Sequence, residues 1–302
     1  VQITIEDIER HAPDVLLPPD PEFASEYAAA VQYGREVARE STVAFVAICR
    51  NAMPWLPRTL SLVEETGAMF KAWAAFIFEN DSADETKEVL KAWSDHERRN
   101  VSLNINHRPH LSHTIAQERT VALAEYRTQC QHWVRQREPV DYVVVFDTDP
   151  WGGWSVDGVA TSIGHMAWDR SWFGLASYSW CQMNVGGQRF PAHYDAFALR
   201  WNHWRRRDQQ WVHHWHPAVG SPPVELNSAF GQLAVYRAER YVQGKYDGSD
   251  CEHVTFHRSI AEAAAKDEGD YYYGPDYTRF GLNPSSRCTS FWVPHGGQDS
   301  ND

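Results

Sequence analysis

The sequence predicts an α/β fold: a mostly parallel central sheet flanked by helices on both faces, followed by an aromatic-rich second half. Three observations predict it. Strand-length apolar runs alternate with segments that carry a helical stripe, the pattern of strand–helix–strand units. The runs are apolar at successive rather than alternate positions, as strands covered on both faces must be. Polar residues follow directly on the runs, at the strand ends where open α/β sheets bind ligands.

The elements follow in order. Residues 1–40 form an N-terminal extension in which Pro18, Pro19 and Pro21 interrupt any helix, and residues 23–39 can form a short one. Residues 43–49 (VAFVAIC) make the first buried strand. Leu56, Leu60, Val63, Gly67 and Phe70 then recur at steps of four and three, defining one apolar helix face, with Pro54 and Pro57 near its start, where proline is tolerated. A second strand is predicted over 72–78, a helix over 85–93, a weaker alternating strand over 101–105, a long helix over 112–137, and a fourth strand over 142–146 that ends in Asp147. Beyond Trp151 short strands and loops are expected, with a helix near 155–166, a short strand at 234–236 and a helix over 252–265. Residues 41–150 and 151–265 are expected to be two halves of one domain. Residues 266–302 are read as a C-terminal tail, polar and disordered over 296–302.

Composition narrows the function classes. A chain of 302 residues with 43% hydrophobic content supports one elaborated domain with a sizeable core. No apolar stretch is long enough to span a membrane, and the N-terminus lacks a basic region followed by an apolar run. Cys49, Cys130, Cys181, Cys251 and Cys288 are odd in number and contain no CxxC pair, so reduced thiols and a cytoplasmic location are expected. A formal charge of −12 disfavours a broad nucleic-acid interface, with Arg205, Arg206 and Arg207 the one local basic run of note. The 14 tryptophans, including the pairs Trp151/Trp154 and Trp201/Trp204, are platforms for sugar rings or fillers of the core.

The residues that carry chemistry lie mostly at the strand ends. Asp147 and Asp149 are two apart where the fourth strand stops, so both carboxylates point to one face. They repel unless a cation intervenes, and hard oxygen ligands suit Mg²⁺ or Mn²⁺, which in turn can bridge two phosphates. Thr148, between them, joins the candidate nucleotide contacts. Glu79, Asn80, Asp81 and Ser82 follow the second strand and offer acceptors to a ribose or base, although the same residue types cap turns and helices. Arg119 shares a helical face with Leu123 and Tyr126, and Arg127 lies eight beyond it. An arginine on such a stripe either snorkels outward or meets a buried acid or a phosphate. Glu252 is a candidate general base. His253 and His257, four apart, share a helix face, and His253 is the candidate to complete the metal's coordination, whereas His257 is expected to be a surface residue. His213, His214 and His216 lack nearby acids and are expected to be structural. The absence of G-x-G-x-x-G, P-loop and G-x-S-x-G motifs removes support for Rossmann dehydrogenases, P-loop kinases and α/β-hydrolases.

Six ordered blocks carry a family resemblance: residues 46–51 (VAICRN), 79–84 (ENDSAD), 147–149 (DTD), 194–200 (YDAFALR), 228–236 (SAFGQLAVY) and 251–253 (CEH). Over residues 43–260 the chain resembles GT-A glycosyltransferases of the group that includes the fungal capsule-associated mannosyltransferases and related bacterial and viral enzymes. The resemblance implies a GT-A, Rossmann-like sheet and a hexosyltransferase that uses a divalent cation, Mn²⁺ or Mg²⁺. It also implies a UDP- or GDP-linked sugar donor and a hydroxyl acceptor on a glycan, protein, lipid or modified base. It further implies that Arg50, Asn51, Glu79 and Asp81 line the nucleotide site, that Asp147 and Asp149 bind the metal with His253 nearby, and that Asp195 and Glu252 face the sugar and the acceptor. The chain departs from the pattern at Gln232, where a second glycine is usual, and at Ala83-Asp84-Glu85, which replaces Thr-Asp-Gly. A nucleotidyltransferase and a non-catalytic carbohydrate-binding protein are the rival readings. The first is weakened by the lack of a glycine-rich basic loop near the N-terminus.

Overall fold

The computed structural model describes residues 3–104, 108–111, 116–185, 188–201, 210–268 and 278–291. Within them the strands are β1 (Thr42–Cys49), β2 (Ala72–Asn80), β3 (Arg99–Asn104), β4 (Tyr142–Asp147), β5 (Gly153–Trp154), β6 (Trp172–Val185), β7 (Gln188–His193), β8 (Val224–Leu226), β9 (Leu233–Arg237) and β10 (Arg279–Thr289). The helices are α1 (Ile5–Arg10), α2 (Pro13–Leu16), α3 (Ala24–Glu40), α4 (Leu56–Gly67), α5 (Thr86–Trp93), α6 (Gln117–Arg135), α7 (Val156–Trp168), α8 (Ala238–Gln243) and α9 (Glu252–Glu268). One sheet runs β3-β2-β1-β4-β9-β6-β10-β5, with β7 on β6 and β8 on β10. The first four strands are parallel, β9 runs against both β4 and β6, and β10 is parallel to β6. The carboxyl ends of β1, β2, β4 and β10 therefore share one rim.

The continuous apolar runs are explained by packing on both faces. In β1, Ala44 and Val46 face a cluster with Tyr126 and Cys130 of α6 and Val254 and Phe256 of α9. Val43, Phe45 and Ala47 face the opposite cluster, with Leu56, Leu60 and Val63 of α4 and Val159 and Ile163 of α7. The period-2 geometry of a strand sends neighbours to opposite sides, and both sides are dry.

The second half departs from the short strands expected of it. β6 is 14 residues long and central. Its apolar pattern is masked because buried polar groups are paired: the Ser177 hydroxyl meets that of Ser286 at 2.6 Å, and the Ser179 hydroxyl donates to Gln232 Oε1 at 2.7 Å. Within the segment 266–302, Arg279–Thr289 is β10, buried along nearly its whole length. Asn283, Ser285 and Arg287 give it the look of a loop. Yet Asn283 Nδ2 donates to Thr161 and Ser162 at 2.9 Å each, and fully buried Arg287 donates to Asp14 at 2.8 Å and Tyr27 at 2.7 Å. The polar run 296–302 and the basic run at Arg205 lie outside the described residues. The five cysteines are buried and unpaired, and no helix among the described residues is long and apolar enough to cross a membrane.

The N-terminal residues are part of the packing. Helix α3 crosses α7 so closely that a Cβ on Gly34 would lie 1.8 Å from the Ala160 carbonyl oxygen. Gly34→Ala should therefore force the helices apart and cost about 1–3 kcal/mol. A urea melt reads this directly, and an unchanged midpoint would show that the crossing is loose.

Candidate active site

The rim begins where β1 and β2 end. Asn51 and Asp81 adopt left-handed backbone angles (φ 48 and 56), a conformation that Asn and Asp tolerate better than most residues. The two loops are laced together. Asn51 Oδ1 accepts from the Ala83 N–H at 2.8 Å, the Asn51 N–H donates to Ser82 Oγ at 2.9 Å, and Glu79 Oε1 accepts from the Ser82 N–H at 2.8 Å. Asp81 accepts from the Arg108 N–H at 3.2 Å, and Arg50 donates to the Arg108 carbonyl at 3.3 Å. Arg50, Asn51, Glu79 and Asp81 thus share one corner, which Arg108 joins without any advance signal in the sequence. Glu79 is fully buried, and its Oε2 lacks a hydrogen-bond partner. In the β3 loop, Asn106 and His107 lie outside the described residues.

The second part of the rim forms where β4 meets antiparallel β9. The Asp147 N–H donates to the Gln232 carbonyl at 2.8 Å. Gly231 and Gln232 both take left-handed angles (φ 60 and 68), and a Cβ at Gly231 would stand 1.9 Å from the Ser177 carbonyl oxygen. Gln232 thus occupies a glycine-like conformation, held by its bond from Ser179. Asp195 ties this turn down: its carboxylate accepts from the Gly231 N–H at 3.0 Å and the Ala198 N–H at 3.1 Å.

Four acids converge here: Asp147, Asp149, Asp195 and Glu252. Burial pushes the Asp147 carboxyl up to about 7; Arg127 pulls it back, while Asp149, Asp195 and Glu252 push the same way as burial. Crowding by protein raises Asp149 as well, although its side chain opens to solvent; its own backbone N–H, then Arg119 and Arg127, oppose the rise. Asp195 is raised by burial despite its two backbone donors. Arg127 is the buried countercharge of Asp147 and Glu252, while fully buried Arg200 acts on Asp195. Arg127 is 4% exposed, contacts Asp147 at 3.2 Å and Glu252 at 3.1 Å, and lies over the Phe230 ring. Of the two roles open to an arginine on an apolar stripe, Arg127 takes the buried-acid one.

Behind Asp149 the loop is held from outside the sheet. Arg58 donates to the carbonyls of Ile8 at 2.5 Å and His11 at 2.8 Å, fastening α1 against Gly152, where a Cβ would meet Ile8. Thr148 is turned inward and 3% exposed, its carbonyl accepting from Thr59 at 3.3 Å, so its side chain does not line the rim.

The histidines divide differently from the sequence expectation. His257 is buried rather than on the surface, with Ser228 at 2.9 Å and Tyr236 at 2.8 Å on its two ring nitrogens. His253 is 2% exposed and stacked on Phe230 at 3.7 Å; burial and then Arg127 hold it neutral, neither ring nitrogen has a hydrogen-bond partner, and Nε2 lies 3.6 Å from Glu252 Oε1. It is not gathered with the aspartates: among the described residues no group of three His, Cys, Asp or Glu side chains is arranged to hold a metal. The donor chemistry still fits a hard cation. Two carboxylates in an acid cluster undercompensated by arginine suit Mg²⁺ or Mn²⁺, which commonly take one or two protein carboxylates and fill the remaining positions with water and phosphate oxygens. His213 Nδ1 donates to the His193 carbonyl oxygen at 2.9 Å, and His216 pairs with the Tyr178 hydroxyl at 2.6 Å.

No protein-family profile and no curated protein matches the chain. Among solved structures it is similar to GalNAc-T7 with UDP, GalNAc and Mn²⁺, at 13% identity and a TM-score of 0.53, over 93% of this chain and 55% of that one. The chain thus spans about half the length of GalNAc-T7. It is also similar to the mannosyltransferase PcManGT from Pyrobaculum calidifontis in complex with GDP-Man and Mn²⁺ (14% identity, TM-score 0.47, 91% and 67% of the two chains). A third is glucosyl-3-phosphoglycerate synthase from Mycobacterium tuberculosis in complex with Mn²⁺, UDP and phosphoglyceric acid (9%, 0.48, 86% and 73%). The first of these, with the strand order above, shows the fold to be GT-A.

Proposed function

We propose that this chain is a divalent-cation-dependent glycosyltransferase that moves a hexosyl group from a UDP- or GDP-linked donor to a hydroxyl acceptor. The observation that carries the reading is the acid cluster around Asp147 and Asp149, at the carboxyl end of β4 on the ligand-binding rim of a GT-A sheet. The likeness to GalNAc-T7, whose structure holds UDP and Mn²⁺, supports it. The grouping with capsule-associated mannosyltransferases belongs to the same proposal.

Asp147 and Asp149 would hold the cation, and His253, which is not gathered with them, is left out of its coordination. When bound, Mn²⁺ or Mg²⁺ supplies charge neutralisation for a departing diphosphate. Arg50, Asn51, Glu79 and Asp81 line the corner for the base and ribose, and Arg119 stands by Asp149 on the phosphate side. Thr148 contributes through the backbone, since its side chain faces inward. Of the two candidate bases, Asp195 has the better access and a raised pKa, and both properties suit a proton acceptor near neutral pH. Glu252 is the buried partner of Arg127 and positions it.

A thermal-shift panel of UDP and GDP with and without Mn²⁺ tests the reading. Ligand at 100 times its Kd should stabilise the protein by about 2.7 kcal/mol, in the presence of Mn²⁺ and with one nucleotide preferred. No shift with either nucleotide would sink the proposal. Protons and Mn²⁺ compete for Asp147. Its raised pKa means the folded apo-protein gains stability at acid pH that is lost as pH rises toward about 7, where the carboxylate ionises. The Mn²⁺ concentration needed for half-maximal stabilisation should therefore climb as pH falls below about 7. A flat response would show that Asp147 does not bind the cation.

A further inference from the structure

We propose that Trp55, Trp151 and Phe291 form a platform for a neutral carbohydrate acceptor, an inference that rests on the transferase reading above and names its acceptor class. Trp151 stacks with Trp55 at 5.0 Å (20° between planes) and with Phe291 at 5.3 Å (23°), so the three rings make one ladder. Each ring comes from a chain segment that follows the carboxyl end of a strand: Trp55 after β1, Trp151 after β4 and Phe291 after β10. Since those strands run the same way, the ladder lies on the rim that carries Asp147, and Trp151 is two residues beyond Asp149. All three rings are partly exposed. Trp154, by contrast, is 1% exposed and donates its indole N–H to Thr66 at 3.0 Å, as a tryptophan serving only the core does.

The chemistry of the surroundings selects the occupant. Trp55 and Phe291 cover the two faces of Trp151, so the ladder offers its exposed ring edges and the outer face of Trp55 as apolar surface to the C–H faces of pyranose rings, and the adjacent acids offer acceptors to hydroxyl groups. Arg189 of β7 stands over Phe291 at 5.9 Å and adds donors at the far end of the ladder. A polyanion would meet a chain of net charge −12 and the Asp147 cluster, so nucleic acid is disfavoured and an uncharged glycan fits.

The test is a fluorescence titration with neutral gluco-, manno- and galacto-oligosaccharides in the absence of nucleotide. At least one series should give a saturable change. Trp55→Ala and Phe291→Leu should each weaken it about tenfold, while Trp55→Tyr, which keeps a ring, should retain most of it. The same variants should keep the nucleotide-dependent thermal shift, which also reports that they are folded. No saturable change with any series, or equal binding by wild type, Trp55→Ala and Phe291→Leu, overturns the platform. Loss of the nucleotide shift in wild type with sugar binding intact would instead overturn the donor reading and leave the platform standing.

Discussion

Asp149→Ala should lower Mn²⁺-dependent sugar transfer by about a thousandfold, the scale seen when a group that stabilises developing charge is removed. Its stability should move the other way or not at all. Asp149 opens to solvent, and its charge is one of those that push the Asp147 carboxyl upward. Removing it relieves repulsion in the cation-free protein, so the melting temperature without metal should be equal or higher while the Mn²⁺-induced increment disappears. This opposition of stability and activity is expected where like charges are held together for a ligand. Transfer assays over a Mn²⁺ series, paired with melts of the same samples, measure both halves. A variant that keeps full metal-dependent activity would remove the central pair from the mechanism.

Arg127→Met should cost about 3–5 kcal/mol of stability at neutral pH, because it strips the countercharge from two carboxylates and leaves one of them deeply buried. Burial by itself works against the guanidinium's charge; Glu252 and Asp147 more than offset that, so its pKa stands above the ordinary value. Without Arg127, Asp147 loses the partner that favours its ionised form, and its pKa rises further. The deficit should therefore shrink as pH falls and that carboxyl takes up a proton. The double variant Arg127→Met/Glu252→Gln should recover part of the loss, since the second change removes the stranded charge. Urea unfolding across pH, with the four members of the mutant cycle, gives the coupling. A single variant as stable as wild type would show that Arg127 is not the charge anchor of the site.

Much of the first half was legible in the sequence because its strands are buried on both faces. A run such as residues 43–49 cannot be anything amphipathic, and the polar residues behind it could only fall at a strand end. The end of β4 at Asp147 was readable for the same reason, and Asp149 follows two residues on, outside the strand. β6 and β10 were not readable, because serines, asparagine and arginine in their interiors resemble a loop until their partners are known. Ser177 finds Ser286 across 109 residues of chain, and Arg287 finds Tyr27 across 260. The inward turn of Thr148 and the burial of His257 belong to the same class.

Local pattern, then, determined the sheet's parallel half, its order of elements and the end of β4 at Asp147, since these depend on side-chain periodicity over a few residues. Tertiary structure alone decided which charges meet: that Arg127 from α6 bridges Asp147 on β4 and Glu252 on α9, and that Asp195 pins the Gly231 turn. Such pairings are contacts between segments far apart in the chain, and no periodicity records them. Burial raises the Coulomb energy of each contact, so the site's charge balance became visible only once the chain had folded.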